Sequence, residues 1–148
     1  MEHEEFMTAA LVLAREAMAA GEVPVGCVIV KDGKIIASGR NRREEDKSAL
    51  GHAELAAIGA ACAALGDWRL SGCTLYVTLE PCPMCAGAIL NARIPAVYYG
   101  AKDQHAGACG SVLNLFEERW DHHPRLYRSR QAEACAALLQ EFFSRLRD

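Results

Sequence analysis

The segment Thr74-Leu75-Tyr76-Val77-Thr78-Leu79 runs without a break into Glu80-Pro81-Cys82-Pro83-Met84-Cys85, and this junction restricts the fold more than any other stretch of the chain. β-Branched and aromatic residues favour a strand, whereas prolines fit the first turn of a helix, where the missing amide has no partner to lose. A strand feeding directly into a helix belongs to a layered α/β arrangement. The remaining segments agree. Residues 4–20 place Phe6, Leu11, Val12, Leu13 and Met18 among alanines, a helix packed on one face, with Gly21 as its stop. Val25 to Val30 and Ile35 to Ala37 flank Lys31-Asp32-Gly33-Lys34 and read as a β-hairpin. Residues 40–51 are polar and read as a loop, 52–65 as a buried alanine-rich helix, Pro95 to Tyr99 as a strand closed by Gly100, 107–110 as a loop, and 132–146 as an amphipathic helix. The order helix, hairpin, helix, strand, helix, strand, helix predicts α/β layers with ligands at the carboxyl ends of the strands.

Size and composition bound what this fold can serve. A chain of 148 residues matches one domain, spanning 1–148, and buries a core without disulfides. Hydrophobic residues at 51% and charged residues at 24% exclude a disordered chain. Met1-Glu2-His3-Glu4-Glu5 lacks the basic start and apolar run of a signal peptide, and no apolar stretch approaches the ~20 residues of a membrane span. A cytoplasmic location without membrane contact is expected. Seven cysteines, an odd number spread along the chain, are then thiols rather than a disulfide framework.

A net charge of −3 argues against a uniformly basic nucleic-acid binder. Charge is nevertheless uneven, with Glu2, Glu4, Glu5, Glu16 and Glu22 at the front. Lys31, Lys34, Arg40, Arg42, Arg43 and Lys47 form one basic group, and Arg125, Arg128, Arg130, Arg145 and Arg147 another. Glu44, Glu45, Glu133 and Glu141 dilute both. Arg145-Leu146-Arg147 alone reads as a solvated helix end that complements the dipole.

Two short motifs carry chemistry: His52-Ala53-Glu54 and Pro81-Cys82-Pro83-Met84-Cys85, each opening a helix. Cys82 and Cys85, at i and i+3, present both sulfurs to one ion, and a helix N-terminus favours their thiolates. The imidazole of His52 makes three ligands, which leaves the fourth tetrahedral position of a zinc to water, as in catalytic rather than structural sites. Two thiolates and a neutral imidazole cancel the +2 of zinc, a poorer activator of water than three neutral histidines. A base beside the metal is therefore required, and Glu54 is placed to move protons. Read alone, Cys-x-x-Cys is equally a redox dithiol or half a structural zinc site, His52 a core histidine and Glu54 a solvated charge; their joint spacing argues otherwise. Cys27, Cys62, Cys73, Cys109 and Cys135 lie in apolar or small-residue surroundings and read as packing. His122-His123 beside Asp121 reads as a polar turn, since adjacent residues rarely chelate one ion together.

His-x-Glu followed by Pro-Cys-x-x-Cys is the signature of zinc deaminases, and the likeness extends further. Through Glu22-Val23-Pro24-Val25-Gly26, Thr78-Leu79-Glu80-Pro81-Cys82-Pro83-Met84-Cys85-Ala86-Gly87-Ala88 and Tyr99-Gly100-Ala101-Lys102-Asp103, the chain resembles the bacterial tRNA adenosine deaminases over nearly its whole length. That resemblance implies a cytidine deaminase-like three-layer α/β/α fold around a five-stranded mixed sheet. It also implies a homodimer with one zinc per subunit, and conversion of the wobble adenosine of a tRNA anticodon, that of tRNA-arginine, to inosine. By the same resemblance Val23 and Pro24 match walls of the base pocket, Asn41 a base contact, Ala53 and Pro81 positions flanking the metal motifs, and Asp103 a contact to the sugar next to the target nucleotide. There, a 2′-hydroxyl would favour RNA. His105 stands where many members carry lysine, the chain ends soon after Arg147, and Ser48-Ala49-Leu50-Gly51 replaces Asp-Pro-Thr-Ala of some members. A flipped anticodon-loop base costs little to extrude and suits a deep zinc pocket. Two other readings stay open: a deaminase of free guanine, cytosine or a nucleotide, which shares both motifs, and a zinc-stapled RNA-binding module that needs the metal but not Glu54.

Overall fold

The computed structural model describes residues 2–147, and side chains from 3 to 146. The chain runs α1 (Glu2–Ala19), β1 (Gly26–Lys31), β2 (Lys34–Arg40), α2 (Arg43–Asp46), α3 (Ala53–Leu65), β3 (Cys73–Leu79), α4 (Pro83–Asn91), β4 (Ala96–Ala101), a 3₁₀ turn (Leu115–Glu117), β5 (Arg125–Arg128) and α5 (Ala132–Arg147). The strands form one mixed sheet in the order β2-β1-β3-β4-β5. β1 is antiparallel to β2 and to β3, while β3, β4 and β5 are mutually parallel neighbours. Asp32 (φ 53) and Gly33 (φ 75) close the hairpin, the left-handed pair that matches the twist of two antiparallel strands.

Alternation along the central strands splits the core in two. Cys27, Ile29, Leu75, Val77 and Val97 face Ala57, Ala61, Ala86 and Ile89 of α3 and α4, and Val28, Val30 and Tyr76 face Met7, Leu11 and Cys135 of α1 and α5. Side chains of successive strand residues point to opposite faces, so β1 and β3 are apolar throughout because both faces are covered. This is the expected three-layer α/β/α architecture. Gly39 lets α3 lie against the edge strand β2: a Cβ there would be 2.5 Å from the Ala53 carbonyl oxygen and 2.8 Å from Ala56 Cβ. The start of α3, where His52 and Glu54 stand, is thus fixed to the sheet by backbone contact.

Three segments differ from the sequence reading. Residues 40–51 are not all loop, since β2 extends through Arg40 and Arg43–Asp46 makes one helical turn. Arg42 caps that turn without a side-chain hydrogen bond. The partner comes from far along the chain: the Glu22 carboxylate accepts from the amides of Glu44 (3.0 Å) and Glu45 (2.7 Å). Glu22, grouped above with the acidic front, is 1% exposed. Gly100 does not close β4 but lies inside it. The fifth strand, implied by resemblance but absent from the residue-by-residue reading, is Arg-Leu-Tyr-Arg at the sheet edge, largely exposed. It is held by Arg125 N–H to the Pro95 carbonyl (2.9 Å), Ser129 N–H to the Tyr99 carbonyl (2.8 Å) and stacking of Tyr127 on Tyr98 at 4.7 Å. No helix among the described residues is long and apolar enough to cross a membrane.

Candidate active site

The two motifs meet at the carboxyl end of β3. His52 is the N-cap of α3 and Cys82 the N-cap of α4, both in extended conformation. Two helix N-termini therefore converge, and Cys85 lies one turn into α4. His52 Nδ1 is 3.6 Å from Cys82 Sγ and 3.5 Å from Cys85 Sγ. These spacings test a metal directly. A tetrahedral zinc with Zn–S of about 2.3 Å and Zn–N of about 2.0–2.1 Å separates N from S by about 3.6 Å. The three ligand atoms lie within 4.8 Å of one another, the one such group among the described residues, and two soft sulfurs with an imidazole suit zinc rather than magnesium or calcium.

The protein's own groups already polarise the site. A hydrogen bond from Cys85, aided by His52, holds the Cys82 thiol down to about 4. Cys85, sharing the proton with Cys82 and buried, is pushed up. Hydrogen bonding to Cys82 raises His52. Cation binding displaces these shared protons, because metal ligation requires the deprotonated forms. Glu54, one residue into α3 and 4% exposed, is pushed up to about 7 by burial and then by the Cys82 charge; a dication on the three ligands offsets that rise.

Beside this cluster opens a cavity of about 210 Å³. Of the residues singled out in the sequence, Val23, Asn41, His52, Ala53, Glu54, Cys82 and Asp103 line it. Cys85 sits behind, within reach of His52. Pro24 and Pro81 are buried next to lining residues and are not among those that line the cavity. The Pro81 carbonyl accepts from Ala108 N–H at 2.8 Å. Arg43 and Glu80 also line the cavity and were not singled out. One wall is built on Asn41, whose amide donates to the Val23 carbonyl (3.2 Å) and accepts from Arg43 N–H (3.3 Å). The opposite wall is the 103–111 segment, and Glu80 organises it. Glu80 Oε1 accepts from Asp103 N–H (3.0 Å) and from the Ser111 hydroxyl, and Oε2 from Cys109 N–H (2.8 Å) and Ser111 N–H (3.1 Å). Burial opposes the charge of Glu80, and these donors outweigh it and hold the carboxyl below its ordinary value. The sequence signal for Glu22 and Glu80 was a glutamate directly before a Val-Pro or Pro-Cys turn, too common a pattern to single out.

The other candidates find ordinary partners. His122 and His123 bond the carbonyls of Ile94 (2.8 Å) and Glu118 (2.7 Å). Cys27, Cys73, Cys109 and Cys135 are buried free thiols, and Cys62, half-buried, bonds the Trp68 carbonyl. Arg40, Arg42 and Arg43 pair with Glu45, Asp46 and Glu44 at 2.7–3.6 Å, which lowers the local positive field. Arg145 pairs with Glu141 at 3.5 Å, and the Arg147 side chain lies outside the described residues. A groove of about 510 Å³ shares Val23, Leu79 and Asp103 with the cavity and continues past His105 along α5 to Phe143.

A family model described as MafB19-like deaminase matches residues 1–147. The chain is 46% identical to the tRNA-specific adenosine deaminase of Bacillus subtilis (strain 168) over 145 residues, 97% of this chain and 90% of that protein. A solved structure from work on A-to-I editing by tRNA:A34 deaminases at the wobble position of transfer RNA superposes with a TM-score of 0.87 at 47% identity, covering 91% of this chain and 99% of that one. The guanine deaminase of Bacillus subtilis is also similar, with a TM-score of 0.67 and 38% identity over 97% of this chain and 95% of that one.

Proposed function

The chain belongs to the MafB19-like deaminase family, among its tRNA-specific adenosine deaminases, and on that footing we propose that it hydrolyses the wobble adenosine of a tRNA anticodon to inosine. The carrying observation is the tetrahedral spacing of His52, Cys82 and Cys85 with the buried Glu54 carboxyl beside them, where His52, Glu54 and Cys82 line one cavity and Cys85 sits behind. His52 Nδ1 and the sulfurs of Cys82 and Cys85 would hold one zinc per subunit, and the bound ion would supply a Lewis acid that lowers the pKa of a water. Glu54 takes a proton from the attacking water and delivers it to the ring nitrogen next to the reacting carbon. A C–O bond forms at C6; Glu54 then takes the second proton from the new C6 hydroxyl and passes it to the departing amino group as the C–N bond breaks, so that adenine plus water becomes hypoxanthine plus ammonia. Val23 and Ala53 flank the purine, Asn41 meets its edge and Asp103 the adjoining sugar; Pro24 and Pro81 act from behind by shaping the turns that carry Val23 and Cys82.

A polymeric substrate is favoured over a free base by the groove that leaves the cavity at Asp103 and runs to Phe143, room that a lone purine would not fill. His105 lines this groove in place of a lysine, so phosphate contact rests on Lys102, the cation that lines the same groove. The substrate is the anticodon stem-loop of tRNA-arginine, the enzyme works as a cytoplasmic homodimer, and residues 1–148 act as one domain. Mass spectrometry of such a stem-loop after incubation with zinc-loaded protein tests the reading, with free guanine as the competitor. Inosine at the wobble position is expected; ammonia from guanine without inosine in RNA would transfer the activity to free bases.

A further inference from the structure

Glu80 is 2% exposed and lines the substrate cavity, yet it is spent. Each carboxylate oxygen offers two acceptor sites, and all four are taken: Asp103 N–H and the Ser111 hydroxyl on Oε1, Cys109 N–H and Ser111 N–H on Oε2. A carboxylate so occupied has no acceptor left for a substrate proton or amino group. Its four donors all come from one segment, residues 103–111, which supplies Asp103 and Ala106 to the cavity wall. Contact is close enough that a Cβ at Gly107 would collide with the Glu80 carboxyl group. Asp103 is then set within this frame, its Oδ1 accepting from His105 N–H (3.0 Å) and Ala106 N–H (3.1 Å). Glu80 itself is rooted in the sheet by its own N–H to the Ala101 carbonyl (2.8 Å).

We propose that Glu80 is a positioning residue of the deamination: its carboxylate fixes the 103–111 segment as a rigid wall and so determines where Asp103 meets the substrate. This rests on the reading of Asp103 as a substrate contact. Glu22 does the equivalent on the opposite wall, through the amides of Glu44 and Glu45, and so provides a control that acts away from Asp103. Glu80→Gln keeps the shape but turns an NH₂ toward donors, leaving at least one amide unpaired. Hydrogen bonds to a charged acceptor are worth enough that KM for an anticodon stem-loop should rise about tenfold or more, with zinc content unchanged. Ser111→Ala removes one donor and should raise KM by about two- to fivefold without a risk to folding.

The deciding measurement is a double-mutant cycle on KM for the stem-loop. If Glu80 acts through Asp103, then Asp103→Ala costs much less in the Glu80→Gln or Ser111→Ala background than in the wild type, while it costs the same in the Glu22→Gln background. Additive effects of Ser111→Ala and Glu80→Gln with Asp103→Ala would overturn the proposal. A wild-type protein that makes no inosine would instead overturn the substrate assignment, and amide hydrogen exchange then decides the clamp. Faster exchange across 103–111 in Ser111→Ala supports it, and unchanged protection refutes it.

Discussion

Gly39 and Gly59 allow one substitution to be made twice with opposite results. A Cβ at Gly39 would sit 2.5 Å from the Ala53 carbonyl oxygen, 2.8 Å from Ala56 Cβ and 2.9 Å from Ala57 N, and real Cβ contacts do not fall under 3.0 Å. Gly39→Ala therefore forces the start of α3 away from β2 by at least about 0.5 Å, because two of the three atoms are backbone and cannot rotate aside. Overpacking of this kind costs about 1–3 kcal/mol. With a urea slope of about 2 kcal/mol/M, the unfolding midpoint falls by about 1 M. The displaced turn carries His52 and Glu54, and misplacement by about 1 Å costs up to about 100-fold in rate; a loss of about tenfold in kcat is expected even in urea-free buffer. Gly59 lies in the same helix with nothing within 4 Å of its Cβ position. Gly59→Ala should stabilise by about 0.5–1 kcal/mol through helix propensity alone and leave kcat unchanged. Urea titration of both variants and initial rates on the stem-loop decide the matter. Equal effects of the two substitutions would refute the claim that backbone contact at Gly39 seats the catalytic helix.

Other outcomes follow from the same geometry. Cys85→Ala leaves two ligands and should abolish stoichiometric zinc by elemental analysis. Chelation of the wild type should lower the thermal midpoint by about 10 °C, since a metal at 1,000 times its Kd stabilises by about 4 kcal/mol and each kcal/mol moves the midpoint by about 2–4 °C; no change in midpoint would mean that the three ligands hold nothing. Met7→Ala empties a fully buried position of the α1 layer and should cost about 2–5 kcal/mol in urea unfolding. Zinc stoichiometry should stay at one, because that layer touches the face of the sheet opposite to α3 and α4.

The layered fold was legible because its signals are local. Thr74–Leu79 running into Pro81 and Pro83 fixes a strand-to-helix junction, and Asp32-Gly33 fixes a hairpin, each within a few residues. The grouping of His52, Cys82 and Cys85, with Glu54 beside them, was legible for a similar reason: residue type and short spacing mark all four. What escaped depends on distant partners. Arg42, the N-cap of Arg43–Asp46, makes no side-chain hydrogen bond to the turn, whose amides at Glu44 and Glu45 are received by Glu22, more than twenty positions earlier. β5 carries two arginines and exposes most of its side chains, so neither hydrophobic run nor alternation marks it; the edge of β4 and the Tyr98–Tyr127 stack do. Glu80 looked like any acidic residue near a turn until the 103–111 segment was seen wrapped around it. Burial of a carboxylate is affordable only when such donors are present, and a sequence does not display donors from another loop.

In the proposed reaction His52, Cys82 and Cys85 hold a metal while Glu54 moves the protons of a deamination on RNA. The most direct test is Glu54→Ala, assayed for zinc content and for inosine at the wobble position of a tRNA-arginine anticodon stem-loop. One zinc per subunit with inosine formation lost, against a wild type that forms it, is the expected result. Turnover by Glu54→Ala at the wild-type rate would contradict the assignment of Glu54, and loss of zinc along with turnover would make Glu54 a support of the metal site rather than its proton carrier.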